Sequence, residues 1–368
     1  MDLLAERIRE PPELDYCPAE GLGSKLEPKL LDVVAGRHHD GSPGGLVVSL
    51  LLLLWPVSFL LATLCLICLV CKVYSRLTLG RCFSNVDMSG RTVLITGANA
   101  GIGKETAKEL ARRNARVILA CRDTSRAAAA AREIHRDTGR EVVLRRLDLC
   151  SFKSIREFAD DIIAGEDRLD VLINNAGIVP FPERVETVDG FEQTFQTNHL
   201  GPFLLTNLLL GKLKASAPSR IITLSSLLHH FGRVDPSRLE YSDYKVPMQV
   251  YSDTKLANIL FTKELARRLQ GTGVTANVLH PGAVQTDINS TYVGFLNIFM
   301  NGLFYFFGKS PAEGAQTSIF LAVSDEVRKV SGKYFMDCRL SVPSRTSEDA
   351  DLARRLWAVS EKMTGLAI

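Results

Sequence analysis

Thr92-Val-Leu-Ile-Thr-Gly-Ala-Asn-Ala-Gly-Ile-Gly-Lys104 opens on a short β-branched run and leads into a helical stretch at 104–113. Its glycines therefore stand at a strand-to-helix turn. There Gly97 can take the tight turn, Gly101 lets the backbone approach a pyrophosphate, and Gly103 permits close helix–strand packing, with the helix N-terminus facing the negative charge. The spacing is G-x-x-x-G-x-G, not G-x-G-x-x-G, and such a loop taken alone can be an ordinary turn. The flanking sequence decides the matter. Strand-like segments at 116–122, 141–149, 169–174, 220–225 and 274–280 alternate with helical ones. That alternation predicts an α/β fold with a Rossmann-type, doubly wound parallel sheet. Ligand then belongs at the C-terminal strand ends, where Asp148, Asn174-Asn-Ala-Gly177, Ser226 and Pro281-Gly282 all fall.

The segment 116–122 ends without the Asp or Glu that would take ribose hydroxyls. Cys121 occupies that place and Arg122 follows it, which suits a 2′-phosphate and favours NADP(H) over NAD(H). Arg113, Arg116 and Arg126 are close in sequence, so a solvated surface role for Arg122 stays open.

Further along, Tyr251-Ser-Asp-Thr-Lys255 puts a phenol and an ammonium one helical turn apart, on the same face. A second pair with this spacing, Tyr241 and Lys245, is a decoy. Pro247 follows it closely and disfavours helical geometry just before itself, whereas 251–269 runs without Gly or Pro and keeps a helical apolar period. A phenol and a cation beside a dinucleotide site point to carbonyl/alcohol redox chemistry.

The first 45 residues carry five Lys/Arg against nine Asp/Glu with no apolar period, and are expected to form a disordered leader. From 46 to 71 come 26 residues without a charge, enough to cross a bilayer core of about 30 Å. A secretory signal is shorter and follows a basic leader, so 46–71 is expected to be a retained anchor, followed by a basic linker at 72–87. Lys72, Arg76, Arg81 and Arg91 after the span outnumber Lys29 and Arg37 before it, which favours a single-pass protein with a cytosolic catalytic domain. Asn289-Ser-Thr291, the one N-glycosylation sequon, would then stay bare. The eight cysteines show no disulfide framework, and His229-His230 lack a third ligand at useful spacing, so no metal site is expected. Residues 46–368 carry a net +7, a modest excess that suits a domain near anionic lipid. Nothing in the chain reads as a nucleic-acid-binding motif.

Assembled, these residues resemble the classical short-chain dehydrogenases/reductases over about 88–340, and within them the membrane-anchored, NADP-dependent retinol dehydrogenases. The motifs are TGANAGIG at 96–103, ACRD at 120–123, LDL at 147–149, NNAG at 174–177, NHLG at 198–201, SS at 225–226, YSDTKLAN at 251–258 and HPGAVQTD at 280–287. The resemblance implies Tyr251 as proton donor or acceptor, Lys255 as its activator and ribose ligand, and Ser226 as the hydroxyl that orients the substrate carbonyl. Asn198 would be the helix-kink residue holding a relay water, with Ser225 the near competitor for the serine role. Implied cofactor contacts are Gly97, Asn99, Gly101, Ile102, Gly103, Arg122, Asp148 at the adenine, Asn175 on the ribose side, Ala176, Gly177, Pro281, Gly282, and Thr286 at the nicotinamide amide. A homo-oligomer is compatible with this class.

Two features depart from the common pattern: a long interval between Ser226 and Tyr251, and the acidic leader. The stretch 287–310 is rich in Phe and Tyr and lies where the family keeps its substrate lid. Anchor and lid together point to a membrane-dissolved substrate, retinal or a related lipid aldehyde, in the endoplasmic reticulum membrane. The other readings are a sterol or keto-lipid reductase with the same residues, and a non-catalytic nucleotide-binding membrane scaffold. The segment 341–368 is expected to be a helical tail.

Overall fold

The computed structural model describes residues 43–239, 246–284 and 308–366. Tyr241 and Lys245, Thr286, Asn289, most of the expected lid and the leader through residue 42 lie outside the described residues.

Strand β1 (Thr92–Thr96) is buried along its whole length because both sheet faces are covered, so its sequence is continuously apolar instead of alternating. The period of two is still visible in what each residue touches. Val93 and Ile95 join Val117, Leu119 and Ile173 beneath Leu110 of α2 (Gly101–Arg112) and Ile319 of α7 (Pro311–Val323). Leu94 joins Ile118, Leu172 and Ile221 on the opposite face, against Phe158 of α4 (Phe152–Gly165) and Phe203 of α5 (Gly201–Ala215). Burying each such side chain contributes roughly 1.5–3 kcal/mol.

With β2 (Arg116–Cys121), β3 (Val143–Arg146), β4 (Val171–Asn174), β5 (Ser219–Leu224), β6 (Val274–His280), β7 (Tyr334–Met336) and β8 (Arg339–Leu340), the sheet has the order 3-2-1-4-5-6-7-8. All pairs are parallel except β7 with β8. The order reverses between β1 and β4, which opens a crevice at the C-terminal strand ends. The expected strands are present, shorter at 141–149 and at 169–174. The sequence reading missed β7 and β8, since three and two residues display no period; their turn holds Asp337 and Cys338 at φ 51° and 57°.

The structure sharpens the picture at the chain's ends. Helix α1 spans Pro43–Leu77, so the linker expected to begin at 72 is helical to 77. Within it, the 21 residues Leu54–Tyr74 are long and apolar enough to cross a membrane. Residues 78–87 are also bound in place and do not dangle. The Gly80 N–H reaches Asp337 Oδ1 at 3.4 Å, the Cys82 N–H reaches Gln316 Oε1 at 3.0 Å, and the Arg113 guanidinium donates to the Ser84 carbonyl. A Cβ on Gly80 would lie 2.0 Å from the Asp337 carbonyl oxygen, so only glycine fits there. At the other end, the segment expected to be a helical tail holds α8 (Ala350–Met363), which packs on the domain. Its stripe of Leu352, Ala353, Leu356 and Trp357 is buried, with the Trp357 ring 4.9 Å from Phe203 and 5.7 Å from Phe261.

Candidate active site

A cavity of about 550 Å³ lies over the crevice, lined by Gly97, Asn99, Gly101, Ile102, Gly103, Cys121, Arg122, Asp148, Asn175–Val179, Ser225, Tyr251, Lys255 and Pro281, among others. Most of the residues singled out from the sequence converge on it.

Its floor is backbone. Gly97 and Gly101 turn the chain at φ +65° and +55°, a region costly for other residues. A Cβ on Gly103 would fall 2.5 Å from Asn175 Nδ2 and 2.6 Å from the Gly97 oxygen, so the helix can pack this closely only on glycine. Asn175 was expected beside the ribose. Its amide instead donates to the carbonyls of Thr96 at 2.8 Å and Gly97 at 3.2 Å, while Thr96 Oγ1 accepts from the N–H groups of Asn175 and Ala176. It lines the cavity and holds the glycine turn. Asp148 also lines it, its carboxylate accepting from the Cys150 N–H at 3.0 Å.

At the end of β2 the Cys121 thiol is buried, which pushes its pKa up to about 11 and keeps it neutral. The carboxylate that follows, Asp123, also lines the cavity and is taken by the Ser125 hydroxyl and the Arg126 N–H. Of the four arginines near that strand in sequence, Arg113 pairs with Glu109 and Arg116 with Glu166, both away from the cavity. Arg122 and Arg126 line it. Asp123 caps α3 (Thr124–Thr138), accepting from the Arg126 N–H at 2.9 Å, so the helix start fixes where Arg126 sits. The sequence reading passed over Arg126 as one of several nearby cations.

Tyr251 and Lys255 come from α6 (Pro247–Arg268), which starts earlier than expected because Pro247 serves as its first residue. Lys255 is 5% exposed, and burial brings its pKa down to about 8, so it stays mostly charged at neutral pH. Its Nζ lies 5.2 Å from the Tyr251 ring centroid. A Cβ on Gly177 would be 3.2 Å from Lys255 Nζ and 3.3 Å from Asn198 Oδ1, so the bare glycine lets both groups crowd the same spot. Asn198 sits in a π-turn, Gln196–Leu200, that leads into α5. Wide turns of this kind cluster at functional sites. Its side chain clasps Ile178, accepting from the N–H at 2.8 Å and donating to the carbonyl at 2.9 Å.

The two serines part company. Ser225 is buried and its hydroxyl donates to the Lys255 carbonyl at 2.7 Å, fastening β5 to α6. Ser226 is half-buried, in extended backbone, its Oγ accepting from the Leu228 N–H at 3.3 Å, which leaves its hydrogen to donate elsewhere. After β6, Pro281 lines the cavity but Gly282 does not. At φ +94° Gly282 turns the chain where a Cβ would sit 2.7 Å from Lys309 Nζ, and that ammonium donates to the Pro281 carbonyl and to Asp337. Among the described residues no cluster of three metal-ligating side chains occurs.

Residues 91–294 match the short chain dehydrogenase family model. The chain belongs to that family and is an oxidoreductase; the glycine turn, the neutral strand end and the cavity fit its nicotinamide dinucleotide cofactor. It is 51% identical to Retinol dehydrogenase 13 of Homo sapiens over 294 residues, 78% of this chain and 88% of that protein. To Retinol dehydrogenase 11 of Mus musculus it is 49% identical over 298 residues, 81% of this chain and 93% of that one. A solved structure of an uncharacterised protein from Mycobacterium paratuberculosis matches with a TM-score of 0.62 at 38% identity, covering 76% of this chain and 95% of that one. A short chain dehydrogenase from Shigella flexneri, complexed with NADP, matches with a TM-score of 0.55 at 25% identity, covering 70% of this chain and all of that one.

Proposed function

We propose that this protein reduces retinal, or a closely related membrane-dissolved aldehyde, to its alcohol with NADPH. The observation that carries the reaction type is Tyr251 and Lys255 side by side in the cavity, with buried Asn198 meeting Lys255 at Gly177. The names of the relatives support a retinoid, and the apolar helix α1 supports delivery from a membrane.

When bound, a reduced nicotinamide supplies the hydride. The chain's own residues handle the proton and the geometry. Tyr251 holds the proton that passes to the carbonyl oxygen, and the Lys255 charge favours the phenolate left behind. Each unit by which the phenol's pKa falls takes about 1.4 kcal/mol of such stabilisation. The Ser226 hydroxyl donates to the same carbonyl oxygen and fixes the substrate's orientation. Asn198, braced on Ile178, presents polar groups beside Lys255 for returning a proton from solvent. Arg122 and Arg126 take the 2′-phosphate through charge-assisted bonds, and the neutral Cys121 removes the carboxylate that would favour NADH. Asp148 would meet the adenine and Thr286 the nicotinamide amide. We place it as a single-pass protein of the endoplasmic reticulum membrane, and the excess of cations after the span supports a catalytic domain on the cytosolic side, where NADPH drives reduction.

The test is turnover of the purified full-length protein with NADPH against retinal, sterol ketones and alkenals. The expected result is highest kcat/KM for retinal. A sterol ketone in first place would make the protein a keto-lipid reductase, and no turnover with any of them would leave a nucleotide-binding scaffold.

A further inference from the structure

The loop after β5 carries Ser226 and then coils through Leu227–Phe231. His229, three residues beyond Ser226, has no exposed surface at all. Both of its ring nitrogens are engaged. Nδ1 lies 2.7 Å from the Ser226 carbonyl oxygen, and the Ser344 N–H meets Nε2 at 3.0 Å. A backbone amide can only donate, so Nε2 is the unprotonated acceptor. Nδ1 therefore carries the hydrogen, and it donates to the Ser226 carbonyl. The ring is neutral in this arrangement, in keeping with burial that brings its pKa down to about 4. It packs 5.2 Å from the Tyr334 ring of β7 and 4.1 Å from His230. Ser344 is held in turn, its carbonyl accepting from the Ser347 hydroxyl at 2.6 Å in the segment that leads into α8.

One imidazole thus joins the peptide that bears Ser226 to a segment 115 residues away from the histidine in sequence. Ser226 has an extended backbone, and its Oγ already accepts from the Leu228 N–H. With the carbonyl held as well, the Ser226 peptide plane cannot swing, and the direction of the hydroxyl is set. We propose that His229 is a positioning residue that aims the Ser226 hydroxyl at the reacting carbonyl by clamping the Ser226 peptide to the C-terminal segment at Ser344. The proposal rests on the role given to Ser226 above.

Two substitutions separate the clamp's two ends. His229→Asn places an amide nitrogen where Nδ1 was and keeps the donor to Ser226 while giving up Ser344. His229→Gln reaches the place of Nε2, keeps an acceptor for Ser344, and leaves the Ser226 carbonyl without its donor. Both are measured in the full-length protein, alone and combined with Ser226→Ala, by single turnover of retinal with enzyme in excess and by NADPH binding. We expect His229→Asn to stay within about threefold of wild type and His229→Gln to lose about 10- to 30-fold in kcat, since small misplacements of a catalytic group are this costly. NADPH affinity should not change. In the Ser226→Ala background His229→Gln should cost nothing further, because its effect runs through the hydroxyl already removed. Equal rates for His229→Gln and wild type, or the same fold loss with and without Ser226, would overturn the clamp. Should His229→Gln fail to bind NADPH, Ser344→Pro, which removes the amide hydrogen at a φ of −61° that proline also adopts, takes its place beside Ser344→Ala as the control for the lost hydroxyl. It is expected to lower kcat several-fold with Ser226 present and not with Ser226→Ala, and a loss in both backgrounds rejects the proposal. A Ser226→Ala enzyme with wild-type turnover would instead reject the role of Ser226 itself.

Discussion

The glycine turn at 97–103 and the serine loop at 225–232 flank the same cavity, but they are held in place by different means. The turn is a backbone object. Its shape comes from left-handed glycines and from the space that a missing Cβ leaves, and its main brace, Asn175, follows on the strand next to β1. The serine loop is held by side-chain bonds to distant parts of the chain: Ser225 to the Lys255 carbonyl, His229 to the Ser344 N–H, and Gln249 to the loop's Phe231 carbonyl at 2.9 Å. A site made of backbone is declared by local spacing. One made of side chains is declared only once the chain has folded.

The largest effect should come from the backbone side. Gly103→Val puts carbon where Asn175 Nδ2 and the Gly97 oxygen already stand, so NADPH affinity should fall by at least about 100-fold, through loss of a turn that no side-chain movement can restore. Fluorescence titration with NADPH measures this, and affinity within threefold of wild type would mean the turn is not the rigid floor described above.

Arg122→Ala should be milder, because a charge-assisted hydrogen bond contributes about 1.5–3 kcal/mol, or roughly 10- to 150-fold. The Michaelis constant for NADPH is expected to rise by about one to two orders of magnitude, with that for NADH almost unchanged, and Arg126→Ala should act in the same direction. Equal losses with both cofactors would remove the phosphate contact from this end of β2.

Acid should separate the two regions. Among the described residues His199, His229 and His280 are buried, and burial holds each pKa near about 4, against 6.5 for an ordinary histidine. Below 6.5 the unfolded chain binds protons that the folded one refuses. The neutral rings' contribution is therefore complete above that pH and is lost as pH falls toward 4, at up to about 1.4 kcal/mol per unit for each ring. None of the three lies in the glycine turn. Between pH 7 and 5, hydrogen-exchange protection relative to the intrinsic rate at each pH should fall at 225–232 and 344–348 before it does at 92–103. Simultaneous opening would show the two regions to be one cooperative unit.

This contrast also explains what the sequence could and could not disclose. Six of the seven parallel strands, the glycine turn and the Tyr251–Lys255 pair were legible because each rests on a local period or spacing. The choice between Ser225 and Ser226 was open from chemistry alone, and only the Lys255 carbonyl, 30 residues on, occupies Ser225. Arg126 looked like one cation among several until Glu109 and Glu166 were seen to take Arg113 and Arg116. His229 was weighed in the sequence as a metal ligand and not as a clamp, because its partner Ser344 lies 115 residues away. Gly80 carried no signal at all, since the turn at Asp337 that it touches is 257 residues distant.

The reaction itself is tested most directly by Tyr251→Phe. The ring still packs on α6 and only the transferable proton is lost, so single-turnover reduction of retinal by bound NADPH, carrying deuterium in place of the transferred hydride, isolates the proton's role. Wild type is expected to give an alcohol with one deuterium at the former carbonyl carbon, and the variant to give none while still binding NADPH with near-normal affinity. Labelled alcohol formed by Tyr251→Phe at the wild-type rate would show that Tyr251 is not the proton donor.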